Sequence, residues 1–184
     1  MSGAHLATAN FRLVPIAPGD RHELFSHLSD PATVQFMDID PLEDLAAADA
    51  IIDWATGLIL TGGEWWALRD ADGELVGTAG INVQERERGS RGEVSYNVLR
   101  ARWRRGVMAE VLPAIVDHAH GPMGLRRLEA LVTPGNAASV GVLRRCGFRR
   151  EGTLRDYGFW KGRFWDQELY ARLADDPRRQ GARR

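Results

Sequence analysis

A short basic stretch, Trp103–Glu110, has the residue types of an anion-binding turn. It lies between an alternating run, Glu93–Leu99, and an apolar helical run, Val107–His120. We interpret it as a strand-to-helix turn whose exposed amide N–H groups and positive helix end bind a diphosphate. Gly106 would let the backbone approach the anion closely. Three neighbouring arginines add positive charge, and we expect one of them to contact phosphate: Arg102, Arg104 and Arg105.

The composition predicts one domain and argues against a nucleic-acid partner. With 184 residues, of which 44% are hydrophobic, the chain can bury roughly 70% of the surface that its unfolded form exposes. The formal net charge is only −1, although arginines cluster at 100–105, 144–150 and 178–184 and acids dominate 38–53. A local anion pocket fits this charge pattern better than a nucleic-acid surface does.

Cysteine usage and hydropathy predict a soluble, cytoplasmic protein. The single cysteine, Cys146, excludes an intramolecular disulfide and lies in an apolar helical run, which favours core packing over a nucleophilic role. The N-terminus lacks the pattern of a signal peptide, and no apolar run approaches 18 residues. We therefore expect no contact with a membrane.

Periodicity in the first hundred residues predicts two helices and four strands. A strand at Phe11–Ile16 is followed by a helix at Asp20–Leu28 and a second helix from Pro41 to about Leu60. Asp72-Gly73 marks a hairpin turn, and the charged stretch 84–92 marks a longer one. These turns join three alternating runs into an antiparallel meander: Glu64–Arg69, Glu74–Asn82 and Glu93–Leu99.

The remaining residues predict a crossover connection and a hairpin. A helix from about Gly106 to His120, which Pro113 should kink, leads to a strand at Leu128–Val132. This order implies a parallel strand pair with a right-handed crossover. The elements predicted after it are a helix at Asn136–Cys146, strands at Phe148–Thr153 and Phe164–Leu173, and a disordered polar tail at Asp175–Arg184.

Several short motifs follow one another in a specific order. Trp103-x-x-Gly106 with Ala109-Glu110 comes first, and residues 133–139 (Thr-Pro-Gly-Asn-Ala-Ala-Ser) come second. Gly147-Phe148 ends the next helical run, and residues 152–156 and 166–170 follow. Together these motifs resemble the GNAT superfamily of acetyl-coenzyme A-dependent N-acetyltransferases, in particular its ribosomal-protein N-terminal branch (RimJ/RimL type), from Phe11 to about Leu173.

The resemblance implies a single α/β (α+β) domain spanning residues 1–174. Its sheet would be mixed, mostly antiparallel and seven-stranded, with about four flanking helices. A central parallel pair, formed by the strand ending near Leu99 and the strand Leu128–Val132, would splay apart. The pantetheine arm of acetyl-CoA would enter that gap.

The resemblance also implies that acetyl-CoA is the cosubstrate and that the first motif binds its diphosphate. Met108 stands where many members of the superfamily carry Gly or Ala, and a side chain directed into the core would leave its amide free. The predicted cofactor contacts are Val98, Leu99, Arg100, Arg104, Arg105, Gly106, Val107, Met108, Ala109 and Asn136.

Glu93 is the candidate general base. It shares one strand face with Ser95 and Asn97, opposite Val94, Tyr96 and Val98. If the apolar face packs on helices, Glu93 faces the acceptor and can take a proton directly or through water. The alternative is a solvated strand acid. An α-amine, with a pKa of about 7.7–8.0, needs only modest help, whereas a lysine amine near about 10.4 needs far more.

Ser139 is the candidate proton donor for the leaving thiolate. Many superfamily members have a tyrosine four residues before the Gly of Gly-Phe, but Leu143 occupies that position here. Ser139 matches a serine of the branch and could donate a proton or a hydrogen bond to the sulfur. It could equally be a polar residue in the first turn of a helix. Asn136 is predicted to cap that helix and to contact the pantetheine.

Two functions remain open from the sequence. The leading hypothesis is direct acetyl transfer from acetyl-CoA to a primary amine, either a protein N-terminus or a small molecule. The alternative is a catalytically weak CoA-binding sensor or assembly protein. The hairpin tip 160–163 and the acidic segment Asp38–Asp44 would frame a groove for a cationic acceptor. Exposed aromatic residues are compatible with a homodimer, and the histidines show no ligand spacing, so no metal is predicted.

Overall fold

A mixed sheet of eight strands is the framework of the chain. The computed structural model describes residues 3–85 and 89–177. The strands are β1 (Leu6–Ala7), β2 (Arg12–Pro15), β3 (Glu64–Arg69), β4 (Leu75–Glu85), β5 (Arg91–Val98), β6 (Arg127–Val132), β7 (Arg149–Trp160) and β8 (Arg163–Leu173). Their order is β1-β2-β3-β4-β5-β6-β8-β7, and every neighbouring pair is antiparallel except β5 and β6.

Four α-helices cover the two faces of this sheet. They are α1 (Arg21–Leu28), α2 (Leu45–Gly57), α3 (Val107–His120) and α4 (Ala137–Arg145). Core residues of α3 and α4 cluster with Trp66, whereas those of α1 and α2 cluster with its neighbour Trp65. Because successive strand residues point to opposite faces, the two helix pairs lie on opposite sides of the sheet. No helix in the described ranges is long and apolar enough to span a bilayer.

Side-chain caps and a glycine fix where the helices begin. Asp44 caps α2, its Oδ1 accepting the Ala47 N–H at 2.8 Å, so this helix starts at Leu45 rather than at Pro41 as predicted. Asn136 caps α4 in the same way by accepting the Ser139 N–H at 3.1 Å. Pro113 lies inside α3 without ending it.

The strand count and the end of one strand differ from the sequence-based expectation. The eighth strand is β1, whose two residues are too few to show periodicity. The strand expected at Phe148–Thr153 continues to Trp160, since an irregularity between Leu154 and Gly158 interrupts its alternation. The predicted hairpin tip is confirmed, because Lys161 and Gly162 join β7 to β8 with φ values of 50° and 74°.

The parallel pair β5–β6 separates along its length. The two strands are in register only at Arg91↔Arg127, Gly92↔Leu128 and Glu93↔Glu129. Beyond Glu93, β5 continues to Val98 and β6 to Val132 without pairing to each other. This confirms the predicted splayed pair, and we call the space between the separated halves the central gap.

The first two residues of the predicted polar tail form ion pairs. Asp175 forms an ion pair with Arg126 at 2.5 Å, and Asp176 forms one with Arg149 at 3.3 Å. Asp175 remains mostly exposed in its ion pair, with 79% of its side chain accessible, whereas Asp176 is largely covered at 16%. The rest of the predicted tail, 178–184, lies outside the described residues, as do residues 86–88 of the predicted turn.

Candidate active site

The turn before α3 presents free backbone N–H groups. Gly106 has a φ of 79°, and an added Cβ would meet nothing within 4 Å. The first bond of the helix is donated by the Glu110 N–H to the Gly106 oxygen at 3.1 Å. The N–H groups of Val107, Met108 and Ala109 precede that bond and are free to bind an anion.

Met108 fits this loop because its side chain is part of the core. The residue is only 5% exposed and belongs to the cluster that α3 forms with the sheet. Its amide lies in the first helical turn, so a large side chain here does not obstruct the anion site.

The three loop arginines have different partners. Arg102 forms an ion pair with Asp70 at 2.6 Å, which ties the loop to the β3–β4 turn. The side chains of Arg104 and Arg105 are exposed and form no ion pair within residues 3–85 and 89–177. Of the three arginines, Arg104 and Arg105 therefore remain the candidates for binding phosphate.

The carboxylate of Glu110 is turned away from the anion site by the N-terminal hairpin. Its oxygens accept hydrogen bonds from Thr8 Oγ1 at 2.5 Å, the Asn10 N–H at 2.7 Å and Asn10 Nδ2 at 2.9 Å. Partial burial raises the pKa of Glu110, but these hydrogen bonds outweigh it and the net shift is downward. The ionised group is thus held where it does not repel a diphosphate.

The β5 backbone faces the central gap with groups that β6 does not use. The Leu99 N–H donates to the Val76 oxygen on the β4 side at 2.9 Å. Since backbone groups alternate along a strand, those of Tyr96 and Val98 point towards the gap. The Val98 oxygen accepts a hydrogen bond from Trp103 Nε1 at 2.7 Å, which ties the loop to the end of the strand.

On the α4 side of the gap, a tyrosine and a serine share a hydrogen bond. Tyr96 Oη lies 2.9 Å from Ser139 Oγ, and both residues are half-buried. Burial raises the pKa of Tyr96 to about 12, although its bond with Ser139 opposes the shift. Leu143, the position of the usual tyrosine, is fully buried in the core. The hydroxyl next to Ser139 therefore comes from the strand.

On the α1 side, Glu93 lies in a group of carboxylates at the closed end of the gap. Its register partner on β6 is Glu129. Burial raises the pKa of Glu93, and the negative charges of Glu129 and Asp38 add to this, with Arg91 opposing them. The charge of Glu93 also reaches Tyr157, an exposed residue of β7.

The segment after α1 crosses this side of the gap. Thr133 Oγ1, at the end of β6, donates to the Phe36 oxygen at 2.9 Å. Lys161 Nζ, at the hairpin tip, donates to the oxygens of Val34 at 2.6 Å and Met37 at 3.0 Å. The hairpin tip is therefore in contact with the segment leading to Asp38. That the tip and Asp38–Asp44 frame an acceptor groove stays a prediction.

Comparison with known proteins identifies the family. The profile described as acetyltransferase (GNAT) domain matches residues 10–149. The chain belongs to the GNAT acetyltransferase family. An uncharacterized N-acetyltransferase, p20, of Bacillus licheniformis is 32% identical over 156 residues, which cover 84% of this chain and 87% of the relative.

Two further relatives show the range of the GNAT family around this chain. The L-methionine sulfoximine/L-methionine sulfone acetyltransferase of Pseudomonas aeruginosa is 35% identical over 112 residues, covering 60% of this chain and 64% of the relative. Mycobacterium smegmatis RimJ in complex with CoA-disulfide superposes with a TM-score of 0.81 at 25% identity, covering 94% of this chain and 87% of RimJ. GNAT enzymes use acetyl-CoA, and this chain is an acetyl-CoA-dependent acetyltransferase.

The described residues fit acetyl-CoA as the cosubstrate of a GNAT enzyme. The free amides of the α3 turn suit a diphosphate, and the unused backbone groups of β5 suit the amides of a pantetheine arm. A groove of about 360 Å³ runs along α4 from Gly135 and Asn136 to Arg144. Cys146 is buried, its carbonyl accepts a hydrogen bond from Arg172, and burial raises the pKa of its thiol, so it suits the core.

Sequence reasoning named the loop, Glu93, Asn136 and Ser139 as candidates, and their roles stay predictions; it missed two contacts. Tyr96 was assigned only to an apolar strand face, and alternation alone gives no sign of the serine that it meets. His27 was assigned no role, yet it lies against the gap-facing half of β5 (its Nε2 is 2.6 Å from Asn97 Oδ1). No local pattern joins residues that are 70 positions apart.

We expect Gly106→Glu to weaken CoA binding at least about 100-fold, or about 2.7 kcal/mol. The new carboxylate would repel the diphosphate, and a side chain at positive φ adds strain. Isothermal titration calorimetry with CoA measures the change. Gly124→Glu is the matched control, since Gly124 has a φ of 65° and equally open space. Equal CoA affinity of the two variants would exclude the α3 turn as the diphosphate site.

Proposed function

We propose that the protein acetylates a primary α-amine, on a peptide N-terminus or a small molecule, by direct attack on acetyl-CoA in a ternary complex. The observation that carries this proposal is the chemistry on the two faces of the central gap. A hydroxyl pair, Tyr96 and Ser139, lies on the α4 face. Carboxylates led by Glu93 lie on the α1 face. The attacking nitrogen and the leaving sulfur need opposite proton transfers, and the two faces offer them separately.

The carboxylate group favours a cationic acceptor. Glu93, Glu129 and Asp38 together give this end of the groove a negative potential, which attracts an ammonium group. Two comparisons support an α-amine: the Pseudomonas aeruginosa enzyme is named for amino-acid derivatives, and Mycobacterium smegmatis RimJ carries the name of the branch that the sequence resembles. We also propose that this chain belongs to the RimJ/RimL branch of the family.

Glu93 is proposed to take the first proton, which the ammonium must lose before it can attack. Burial raises its pKa, so ionised Glu93 is a stronger base than an exposed glutamate. An α-amine with a pKa of about 7.7–8.0 is protonated mostly, but not entirely, at pH 7. A carboxylate acting through water is therefore sufficient.

Ser139 is proposed to donate to the leaving sulfur, with Tyr96 donating to Ser139. Because its pKa is about 12, Tyr96 stays protonated and can act as a hydrogen-bond donor throughout. A donor behind Ser139 polarises the serine hydroxyl and strengthens its bond to a thiolate. The strand hydroxyl thereby compensates for Leu143.

The cofactor contacts expected from the sequence are retained as part of the proposal. The α3 turn would hold the diphosphate through its amides, with Arg104 and Arg105 nearby, and the end of β5 would align the pantetheine. Asn136 uses its Oδ1 as a helix cap, which leaves its Nδ2 for the cofactor. The proposed set is Val98, Leu99, Arg100, Arg104, Arg105, Gly106, Val107, Met108, Ala109 and Asn136.

Release of free CoA thiol in the presence of acetyl-CoA tests the function. We expect turnover with peptides or amino-acid derivatives that carry a free α-amine, and acetylated product by mass spectrometry. Peptides blocked at the N-terminus serve as controls. Tight CoA binding without turnover on any amine would favour the alternative, a CoA-binding sensor.

Ser139→Ala and Tyr96→Phe should each lower kcat by about 10- to 100-fold while CoA affinity stays close to that of the wild type. Both changes remove a hydroxyl that acts on the leaving group and leave the anion site intact. Tyr170→Phe is the matched control, because Tyr170 is buried and its hydroxyl bonds to Glu168 away from the gap. A parallel loss of affinity and kcat would instead indicate a packing role for the pair.

Glu93→Gln should lower kcat/KM for an α-amine by about tenfold or more at pH 7. Only ionised Glu93 can take a proton, so wild-type activity falls as pH decreases through its raised pKa. The difference from wild type should shrink as pH rises towards the pKa of the amine, which then arrives neutral. A pH series of initial rates measures this, with exposed Glu151→Gln as control. A defect of constant size at every pH would argue against the proton-transfer role.

A further inference from the structure

A buried histidine contacts the part of β5 that borders the central gap. His27, in α1, is only 4% exposed, and its Nε2 lies 2.6 Å from Asn97 Oδ1. Asn97 lies beyond Glu93, where β5 is no longer paired with β6. The histidine therefore approaches the gap from the α1 side, whereas Tyr96 and Ser139 lie on the α4 side.

The surrounding hydrogen bonds determine which ring nitrogen carries the proton. The Thr78 N–H donates to Asn97 Oδ1 at 3.3 Å, and Asn97 Nδ2 donates to Thr78 Oγ1 at 3.0 Å. An amide N–H can only donate, so the atom facing Thr78 N must be the oxygen of Asn97. That oxygen must also accept from His27, which places the hydrogen on Nε2. Neutral His27 then carries its lone pair on Nδ1.

The second ring nitrogen of His27 has no hydrogen-bond partner among the described residues. Within residues 3–85 and 89–177, Nδ1 has no hydrogen-bond partner, and it is not among the fully buried polar atoms. The ring borders a cleft of about 730 Å³ between α1 and the residues that follow β5, including Leu99 and Arg100. Leu99 and Arg100 follow directly on the half of β5 that is not paired with β6, so the cleft lies beside the end of that strand.

The environment keeps this nitrogen available as a base. Burial lowers the pKa of His27 below its ordinary value of 6.5, while the bond with Asn97 and the charge of Asp30 oppose the shift. The ring is therefore neutral at pH 7. The other charged or titratable groups around the cleft are His22, Glu23, Glu74 and Arg100, of which Glu23 is held by Arg69 at 2.7 Å.

Acetylation of an ammonium group requires two proton losses from nitrogen. The first gives the neutral amine. The second follows attack, when the new N–C bond leaves the nitrogen positively charged, and the C–S bond breaks to release the thiolate. We propose that His27 Nδ1 takes this second proton, as a catalytic base distinct from Glu93. The inference rests on the proposed acetyltransferase function.

Atoms and charges balance in this scheme. The ammonium loses one proton to Glu93 through water and one to His27, and the thiolate gains one from Ser139, which recovers it from solvent. Protonated Glu93 and protonated His27 then release their protons to solvent, so that one proton is released in total for each amine acetylated. Glu93 and Asn97 are four residues apart, or about 13 Å along the strand. A nitrogen in contact with His27 therefore cannot also contact Glu93 directly, which is why the first proton reaches Glu93 through water.

The test compares His27→Gln with Glu93→Gln on two amines. Glutamine can still donate to Asn97 but cannot accept a proton, so we expect kcat to fall by about 30-fold or more. A weakly basic amine that is neutral at pH 7 bypasses the first proton loss only. It should restore the activity of Glu93→Gln and leave His27→Gln slow. His5→Gln, at an exposed histidine, is the matched control.

A pH series and NMR separate catalysis from packing. Wild-type kcat should decline as pH falls through the lowered pKa of His27, and His27→Gln should lack this decline while binding CoA normally. Nitrogen-15 NMR should show the Nε2–H tautomer. An Nδ1–H tautomer, or a His27→Gln variant with wild-type kcat, would overturn this inference and leave the proposed function standing. If the wild-type protein acetylates no amine, the proposed function fails and this inference fails with it.

Discussion

The site depends on the loss of pairing between β5 and β6 after Glu93. Each strand remains fully paired on its other side, β5 with β4 and β6 with β8, so the sheet consists of two halves joined by three residue pairs. Unpaired backbone groups in the middle of a sheet are costly unless another partner satisfies them. The gap therefore needs a ligand with hydrogen-bonding amides, and a pantetheine arm has them.

The separation is maintained by contacts at the open end of the gap. The Asn136 cap fixes the first turn of α4 beside β6. Thr133 accepts a hydrogen bond from Gln167 of β8 at 2.9 Å and donates to Phe36 on the opposite face. Because these bonds use polar groups at the end of β6, the strand is committed to its own half of the sheet. The same contacts hold the segment after α1 across the acceptor side.

Local patterns in the sequence predicted the secondary-structure elements and the turn before α3. They could not predict side-chain contacts between residues that are far apart in sequence. Periodicity predicted the meander, α3, α4 and the parallel crossover, since these depend on residues close in sequence. The role of Arg102 was not predictable, because its partner Asp70 is 32 positions away. Met108 became explicable only when its side chain was found in the core. Helix caps, by contrast, depend on residues close in sequence. Asn136 was correctly predicted to cap its helix, whereas the helix capped by Asp44 was predicted to begin about one turn too early, which put Asp44 inside it.

Burial shifts the pKa values of the two proposed bases in opposite directions and brings them closer together. It disfavours the charged form of any group, so it raises the pKa of Glu93 and lowers that of His27. The two values approach each other from the ordinary 4.5 and 6.5. Ionised Glu93 becomes a stronger base, and His27 becomes a base that is uncharged at neutral pH. Burial between the sheet and its helices thus shifts the pKa values of both groups towards the pH at which a proton can be taken and released again.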